Sequence, residues 1–522
     1  MAVTDFIVAI ELGSTKIIGL AGRKRADGCI QILAHASEHS SDCIRKGVIY
    51  NSDKTLQCLT SIIRSLEEQL GASIKKAYVG IGGKSMYSVE NRVFRQFNDE
   101  TKISLALTDS MMKANREMAL PDKDILEVVP QEYLIGKELR IDPVGISTDS
   151  IEGHYLNIIA RRTLKDKIKQ CFKLAKCEIA GYIISPVATA EAVLTSDERR
   201  SGCALVDLGA ETTTVAIYKN NILRHLAVIP LGSNNVTKDI SSDKQIDEED
   251  AEELKLRFAS AYTEAPKEGE KNDITYSLDD QTSIKAAELE EIVEARIKEI
   301  ILNVENQIKF SHYSDKLLAG IVITGGGANM PNIDEAFRQT MHSDKVRIAK
   351  GSKISLENSE ELPNDGTCNT IIGVLSAGKD NCCKIDPTKS AELFSGTGND
   401  LKSQQEMEEE KRRQDEEERR RKEAEAKRKE EALRLQKVKE CEALLEETRK
   451  YLSKNKYDKA QEQLELAIEM NVSEKQEEID ELKKKMSKKP KTFVDKLKDF
   501  LEDRANKFSD GANKISKDLL DE

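Results

Sequence analysis

Two stretches of the chain share one outline: an apolar run that ends in an acidic residue, a glycine, hydroxyl residues, and a second apolar run. They are VAIELGSTKIIGL at 8–20 and VDLGAETTTVAIY at 206–218. Glycine and acidic residues are common at tight turns, so each stretch predicts a β-hairpin with its tip at Gly13 or Gly209. The repeat of this unit predicts a duplicated fold.

The residues that follow each hairpin continue the repeat. After the first hairpin, QILAHASEH predicts a third strand, 55–71 places apolar residues at helical spacing, and 76–83 predicts a buried strand. After the second, ILRHLAVIPLG predicts a strand, a helical region follows, and 319–333 contains a buried strand that ends in three glycines. This order predicts two similar α/β halves around a cleft, with both hairpin tips directed into it.

Composition excludes several classes of protein. The chain has 522 residues and a formal net charge of -12, which argues against a general nucleic-acid binder, because phosphate binding needs clustered lysine and arginine. The N-terminus lacks a basic segment followed by a long apolar one, and no run of about 18 apolar residues occurs. We therefore expect a protein that is neither secreted nor membrane-spanning. Ten cysteines without CxxC spacing are typical of reduced cytosolic thiols.

The residue types at the two tips suit a nucleotide. Glycine lets backbone N–H groups approach a phosphate closely, and serine or threonine hydroxyls add donors. Glu11 and Asp207 would hold Mg²⁺ through water, since this ion binds one or two carboxylates together with nucleotide phosphates. Lys16 would neutralise phosphate charge, and the glycines at 325–327 would let a nucleoside lie against bare backbone. An ordinary polar turn explains each hairpin alone, but the three features in this order favour a nucleotide clamp.

Several motifs carry a resemblance to a known superfamily. ELGSTK, DLGAETT, ITGGGANMPNI and NTIIGVLSAG resemble, in this order, the two phosphate motifs, the adenosine motif and the second connecting motif of the actin, heat-shock chaperone and sugar-kinase ATPases. Four further segments are similar to the bacterial cell-division FtsA family: EVVPQEY at 127–133, DPVGIS at 142–147, ISPVATAEAVLTSDERRSG at 184–202 and RHLAVIPLGSNNVTKDI at 224–240. The resemblance covers residues from about 5 to 380.

The resemblance implies a duplicated actin-like (ribonuclease H-like) α/β ATPase fold with an inserted subdomain, followed by a long charged helical extension. The implied subdomains are 1A at 1–84 and 161–201, the inserted 1C at 85–160, 2A at 202–232 and 310–385, and 2B at 233–309.

ATP and Mg²⁺ are the implied cofactors. The implied Mg²⁺ ligands, acting through water, are Glu11 and Asp207. DAEELK at 250–255 is similar to a family helix that contacts the ribose, and the spacing of its glutamate and lysine places both on one helix face, although a solvated charged helix is the alternative. The implied ATP-binding residues are Gly13, Ser14, Thr15, Lys16, Gly209, Thr212, Thr213, Glu252, Lys255, Gly325, Gly326 and Gly327.

Three departures from the superfamily pattern bear on catalysis. Glu11 stands where most of the superfamily has aspartate, and Ala210 and Glu211 replace the usual glycines of the second phosphate loop. Ser185 stands where hydrolysing relatives carry a glutamate that orients the attacking water, and phosphoryl transfer depends on such positioning. No catalytic residue is therefore assigned. We expect firm ATP binding with slow or absent hydrolysis, and a turnover near roughly 1 s⁻¹ would contradict this.

Beyond residue 386 charged residues dominate the chain. Residues 386–450 predict a linker and an exposed helix, since 22 of the 26 residues in 406–431 are charged and many acid–base pairs lie four residues apart. Residues 451–487 resemble one tetratricopeptide-like helical hairpin, which is either a partner site or a bend in the stalk. Residues 488–522 predict an amphipathic helix, and the FtsA resemblance implies that it binds the membrane; packing on a protein partner is the alternative. Its apolar residues are Phe493, Val494, Leu497, Phe500, Leu501 and Phe508.

The resemblance also implies a function in bacterial division. The implied protein is a peripheral ATP-binding adaptor that tethers the tubulin-like GTPase FtsZ to the cytoplasmic face of the inner membrane at the division site, assembles with copies of itself into filaments, and recruits downstream division proteins. The FtsZ C-terminal tail is expected on 233–309 and is expected to contact Arg296, for which an ordinary surface arginine is the alternative. A sugar or acetate kinase and a chaperone-like ATPase of the same fold are the competing classes. Phosphate transfer to a small molecule would favour the kinase, and nucleotide-dependent filaments would favour the adaptor.

Overall fold

The computed structural model describes residues 5–264, 274–278, 283–384, 438, 441–453, 457–469 and 475–486. The chain divides into two compact units, Met1–Glu392 and Leu393–Glu522. The first unit contains two large sheets, of six and nine strands. The described part of the second unit is helical.

The first predicted hairpin is confirmed. Strand Ile7–Leu12 pairs antiparallel with Lys16–Lys24, and Ala9 lies opposite Leu20. The first four residues of Ile7–Leu12 are buried on both faces, because helices cover both sides of this sheet. From one edge to the other, the strands of the sheet are Glu178–Ile184, Lys76–Ile81, Ile7–Leu12, Lys16–Lys24, Ile30–His39 and Leu356–Glu357.

Helix Ser52–Leu70 packs on this sheet as its apolar spacing predicts. The buried apolar residues recur every three or four positions, from Leu59 to Leu70. The Asn51 side chain caps the helix by accepting from the Lys54 N–H, and Gly71, with φ 61°, ends it in the left-handed conformation. The other helices of this half are Arg162–Leu174, Ser185–Val193 and Ser196–Ser201, and a short strand pair, Ile44–Arg45 with Val48–Ile49, precedes Ser52–Leu70.

The second predicted hairpin is also confirmed. Strand Cys203–Leu208 pairs antiparallel with Thr213–Lys219, with Leu205 opposite Ala216, and pairs in parallel with Gly320–Thr324. A pairing of Tyr87 with Ala227 joins the strands of the 85–160 region to this sheet. In order, the nine strands are Val346–Ile348, Gly320–Thr324, Cys203–Leu208, Thr213–Lys219, Ile222–Ile229, Tyr87–Lys102, Ser147–Arg161, Lys123–Ile135 and Glu138–Arg140.

Helices cover the second sheet. The longest, Ala286–Phe310, buries a stripe that includes Val293, Ile297 and Val304. Further helices are Leu105–Arg116, Ser233–Lys244, Glu248–Phe258 and Ile333–Met341, with short 3₁₀ turns at Ser314–Lys316 and Gly326–Asn329 and a small strand pair, Thr275–Ser277 with Ser283–Lys285.

Helix Asn369–Ala377 returns to the first sheet and crosses helix Ser185–Val193. At the crossing, a Cβ on Gly373 would lie 2.1 Å from the carbonyl oxygen of Ala188, so glycine is required for this close approach. The buried hydroxyls of Thr189 and Thr370 lie 2.8 Å apart at the same crossing. The two helices therefore pack tightly against each other.

The second unit has its own small core. Helices at 441–453, Tyr457–Glu469 and Gln476–Met486 bury Cys441, Leu445, Leu464, Ala467, Ile479 and Leu482 together. The predicted hairpin, 451–487, contains the second and third of these helices, whereas most of the helix at 441–453 lies in the segment predicted as a charged helix. Cys441 and Leu445 from this first helix pack on the apolar face that a single hairpin leaves open.

Two predictions for the extension lie outside the described residues. They are the charged helix at 406–431 and the amphipathic helix with Phe493, Val494, Leu497, Phe500, Leu501 and Phe508. Among the described residues, no helix has the length and apolar character needed to cross a membrane.

Candidate nucleotide site

The tips of the two hairpins have the same backbone geometry. In the first, the Gly13 N–H donates to the Lys16 carbonyl at 3.1 Å; in the second, the Gly209 N–H donates to the Thr212 carbonyl at 2.9 Å. A Cβ on Gly13 would lie 2.7 Å from that acceptor oxygen, and one on Gly209 would lie 2.8 Å from its own. The structure thus builds one tight turn twice, with glycine required at the same place in each.

Two buried carboxylates, Glu11 and Asp207, precede these turns. Desolvation by burial, together with the charge of Asp207, raises the pKa of Glu11 from 4.5 to about 8. Desolvation raises the pKa of Asp207 from 3.8 to about 6. The Oε2 atom of Glu11 is buried and has no hydrogen-bond partner. This arrangement fits a divalent cation, whose charge would compensate both carboxylates.

The three glycines lie beside the second carboxylate. Gly325 adopts φ 88°, and a Cβ there would lie 2.3 Å from Oδ1 of Asp207. Gly326 is exposed, and a Cβ on it would first meet Thr367, at an ordinary 3.5 Å. Gly327 packs against Leu208. Gly325 and Gly327 are therefore needed for packing, whereas Gly326 leaves an open strip of backbone.

Glu252 and Lys255 form the ion pair that their spacing predicts. The Lys255 ammonium donates to Glu252 Oε2 at 2.6 Å and to the Thr237 hydroxyl at 3.0 Å, and Thr237 donates to the same carboxylate. The Lys255 side chain is only 5% exposed, whereas that of Glu252 is 38% exposed. Lys255 therefore holds the Glu252 carboxylate in a fixed position. Because Lys255 is buried, the pair is more than part of a solvated charged helix.

The remaining predicted phosphate residues differ in exposure. Thr15 and Lys16 are exposed at the first tip, and Thr212 is half-buried at the second. The Ser14 hydroxyl accepts from the Gly47 N–H at 3.0 Å. Thr213 is fully buried and its hydroxyl donates to the Leu231 carbonyl at 2.8 Å, so this side chain braces the hairpin.

Ser185 lies at the N-terminal end of helix Ser185–Val193, next to the first sheet. Its hydroxyl oxygen would be 3.0 Å from a Cβ on Gly80, so the side chain packs closely against strand Lys76–Ile81. Serine offers no carboxylate that could act as a base toward water.

Arg296 is already paired in the structure. Its guanidinium binds both oxygens of Asp239, at 2.5 and 2.8 Å, and also contacts Glu299. The side chain is 23% exposed. A tail that binds Arg296 must therefore share it with Asp239 or displace this carboxylate.

The sequence analysis missed a buried ion pair that explains the PQEY motif. Arg224, whose side chain is 3% exposed, binds Glu132 at 2.6 Å and donates to the Gln131 side chain at 3.1 Å. Gln131 also donates to the Leu223 carbonyl at 3.0 Å. This pair ties the 85–160 region to strand Ile222–Ile229. The sequence signal for this pair was the occurrence of Gln131 and Glu132 within one predicted strand and of a single arginine, Arg224, within another.

Comparison with known proteins agrees with this geometry. Residues 204–373 match the family described as "Cell division protein FtsA", and residues 83–159 match "SHS2 domain inserted in FTSA". The cell division protein FtsA of Pseudomonas aeruginosa is 28% identical over 376 residues, 71% of this chain and 89% of that protein. That of Porphyromonas gingivalis is 29% identical over 391 residues, 74% of this chain and 81% of that protein.

A solved structure, the PilM-PilN type IV pilus biogenesis complex, shares the fold. Its TM-score is 0.51 at 13% identity, over 73% of this chain and 100% of that chain. The chain thus has the predicted actin-like ATPase fold with an inserted subdomain, and the insert matches the SHS2 domain. Within this class, the family matches and the curated relatives are more specific. The chain belongs to the FtsA family of cell-division proteins.

Proposed function

We propose that this protein binds ATP with Mg²⁺ in the cleft and acts as an adaptor between FtsZ and the inner membrane at the division site. One observation carries the nucleotide proposal. Two turns of the same geometry, at Gly13 and Gly209, each begin two residues after a buried carboxylate, Glu11 or Asp207, whose pKa is raised. Clustered carboxylates without a counter-charge are unfavourable, so the site is suited to a cation with a phosphate.

Each cleft residue has a distinct role in this proposal. Glu11 and Asp207 hold the Mg²⁺ through water, and the ion neutralises phosphate charge. The glycines at the tips, Gly13 and Gly209, let the backbone approach the phosphates closely, and Lys16 adds a positive charge. Glu252, held by Lys255, contacts the ribose.

Hydrolysis is expected to be slow or absent. The first residue of helix Ser185–Val193 is serine, and a hydroxyl is too weak a base to orient and activate water as a carboxylate does. The nucleotide then acts chiefly as a ligand that controls the state of the protein. Assembly with further copies of this chain and recruitment of downstream division proteins belong to the same proposal, in which residues 488–522 contact the membrane.

For FtsZ, the proposed docking surface lies around Arg296. An acidic group on the FtsZ tail would replace Asp239 in the bidentate contact, since arginine binds carboxylates in this geometry. The affinity for the FtsZ tail should then depend on the free energy needed to break the ion pair between Asp239 and Arg296.

The test measures binding of a labelled FtsZ C-terminal tail peptide to the full chain by fluorescence anisotropy. Arg296→Ala is expected to weaken binding about tenfold or more, as for a central interface arginine. Arg257→Ala is the matched control, because Arg257 pairs with Glu253 on the neighbouring helix. Asp239→Asn frees Arg296 and is expected to strengthen binding.

Two results would count against the adaptor. Failure of the wild-type chain to bind the peptide would refute the FtsZ contact. Equal losses in Arg296→Ala and Arg257→Ala would remove Arg296 from the docking surface.

A further inference from the structure

The turn at Lys46 and Gly47 contacts the tips of both phosphate hairpins. Both residues adopt the left-handed conformation, with φ 51° and 69°. The Gly47 N–H donates to the Ser14 hydroxyl at 3.0 Å, on the first hairpin. The Lys46 N–H donates to a carboxylate oxygen of Glu211 at 2.6 Å, on the second. Two successive amides of one turn thus bind side chains from opposite sides of the cleft.

This turn is held rigidly in the first half. It connects the paired strands Ile44–Arg45 and Val48–Ile49. A Cβ on Gly47 would lie 2.6 Å from Cα of Gly83, so the two backbones are in direct contact. The Lys84 N–H also donates to the Lys46 carbonyl at 3.0 Å. The amide that binds Glu211 is therefore fixed by its own strand pair and by the Gly83–Lys84 segment of the first half.

Glu211, by contrast, is fixed in the second half. It lies between strands Cys203–Leu208 and Thr213–Lys219, in a loop that also caps a helix. The Ser233 and Asn234 N–H groups donate to the Gly209 and Ala210 carbonyls at 3.0 and 2.7 Å. Separation of the two halves therefore breaks the bond between Glu211 and Lys46.

We propose that Glu211 is a positioning residue that clasps the two halves of the cleft through the Lys46 N–H and thereby slows release of a bound nucleoside triphosphate. The retention of nucleotide rests on the proposed function, whereas the clasp itself does not. A hydrogen bond to a charged acceptor is stronger than one between neutral groups, so one such contact changes an opening equilibrium measurably. The Ser14 hydroxyl accepts from the adjacent Gly47 amide, so the turn that binds Glu211 also contacts the first phosphate loop.

The clasp is tested first without nucleotide, by hydrogen–deuterium exchange of the full chain. In Glu211→Ala, the peptide that contains the Lys46 amide is expected to exchange about tenfold faster than in the wild type. Glu211→Gln keeps an acceptor oxygen at the same reach and is expected to restore most of the protection. Exchange in strand Ile30–His39, away from the cleft, should be the same in all three proteins and reports that the fold is intact.

The second measurement is the dissociation rate of a fluorescent ATP analogue in the presence of Mg²⁺, followed by stopped flow. Glu211→Ala is expected to release the analogue about tenfold faster, and Glu211→Gln within about threefold of the wild type. Equal exchange at the Lys46 amide in Glu211→Ala and the wild type would overturn the clasp. Altered exchange with an unchanged dissociation rate would overturn its role in retention. Failure of all three proteins to bind the analogue would instead refute the proposed nucleotide site and the retention role, while the exchange result would still decide the clasp.

Discussion

Replacement of Glu198 by glutamine is expected to destabilise the first unit strongly. Glu198 lies in helix Ser196–Ser201 and accepts from the Arg347 guanidinium at 2.6 and 2.9 Å, with Lys353 at 3.5 Å. Its side chain is 18% exposed. Burial disfavours its charge, but hydrogen bonds from Arg347 and from Thr195 outweigh this, and the pKa falls from 4.5 to about 2.

The magnitude follows from this shift in pKa. Because the pKa is depressed in the folded state, the stabilisation is fully present above pH 4.5 and is lost as the pH falls toward 2. A difference of 2.5 between the two pKa values corresponds to about 3 kcal/mol at pH 7 and to about 1.4 kcal/mol at pH 3. For a unit of nearly 400 residues, about 3 kcal/mol lowers the melting temperature by roughly 4 °C.

The assay is thermal unfolding of wild-type and Glu198→Gln full chains between pH 3 and 7, followed by far-ultraviolet circular dichroism because the chain has no tryptophan. Glu253→Gln is the control, since Glu253 pairs with Arg257 on an exposed helix face and should change stability by less than about 0.5 kcal/mol. A Glu198→Gln protein as stable as the control at pH 7, or a loss of stability that does not shrink at low pH, would show that the Glu198 charge does not stabilise the fold.

Four further substitutions test the nucleotide site and the contacts that support it. Glu11→Gln is expected to reduce the effect of Mg²⁺ on ATP affinity about tenfold, because one of the two carboxylates becomes neutral; calorimetric titration with and without Mg²⁺ measures this. Gly326→Ala should unfold like the wild type, since its Cβ meets nothing closer than 3.5 Å, yet it should bind ATP about tenfold more weakly. Gly325→Ala should instead lose about 2 kcal/mol of stability, because of strain at φ 88° and contact with Asp207. Glu132→Ala leaves the buried Arg224 without its carboxylate and should cost about 3 kcal/mol in urea-induced unfolding, and a loss below about 1 kcal/mol would contradict that role.

Local patterns predicted the two hairpins because their signal is contained within about a dozen residues. An acid, a glycine and flanking apolar runs specify a tight turn between strands, and both turns have the same geometry. The spacing of Glu252 and Lys255 likewise predicted a pair, because residues three apart on a helix are neighbours.

Contacts between distant segments were not predictable in this way. Strand Leu356–Glu357 pairs with Ile30–His39, and Tyr87 pairs with Ala227, although no local pattern tells which sheet edge a strand will join. The Asp239 partner of Arg296 lies 57 residues away, so the sequence indicated a free arginine where the structure has a bidentate ion pair. Glu211 was predicted only as a departure from glycine, because its partner is a backbone amide of another segment.

Titration of ATP into the full chain by isothermal calorimetry, with and without Mg²⁺, tests the proposed nucleotide site directly. We expect saturable binding at a single site that is clearly tighter with Mg²⁺, because the ion compensates Glu11 and Asp207. We also expect no sustained heat of hydrolysis, since Ser185 offers no carboxylate base. The absence of binding with Mg²⁺, or a sustained turnover near roughly 1 s⁻¹, would contradict these expectations.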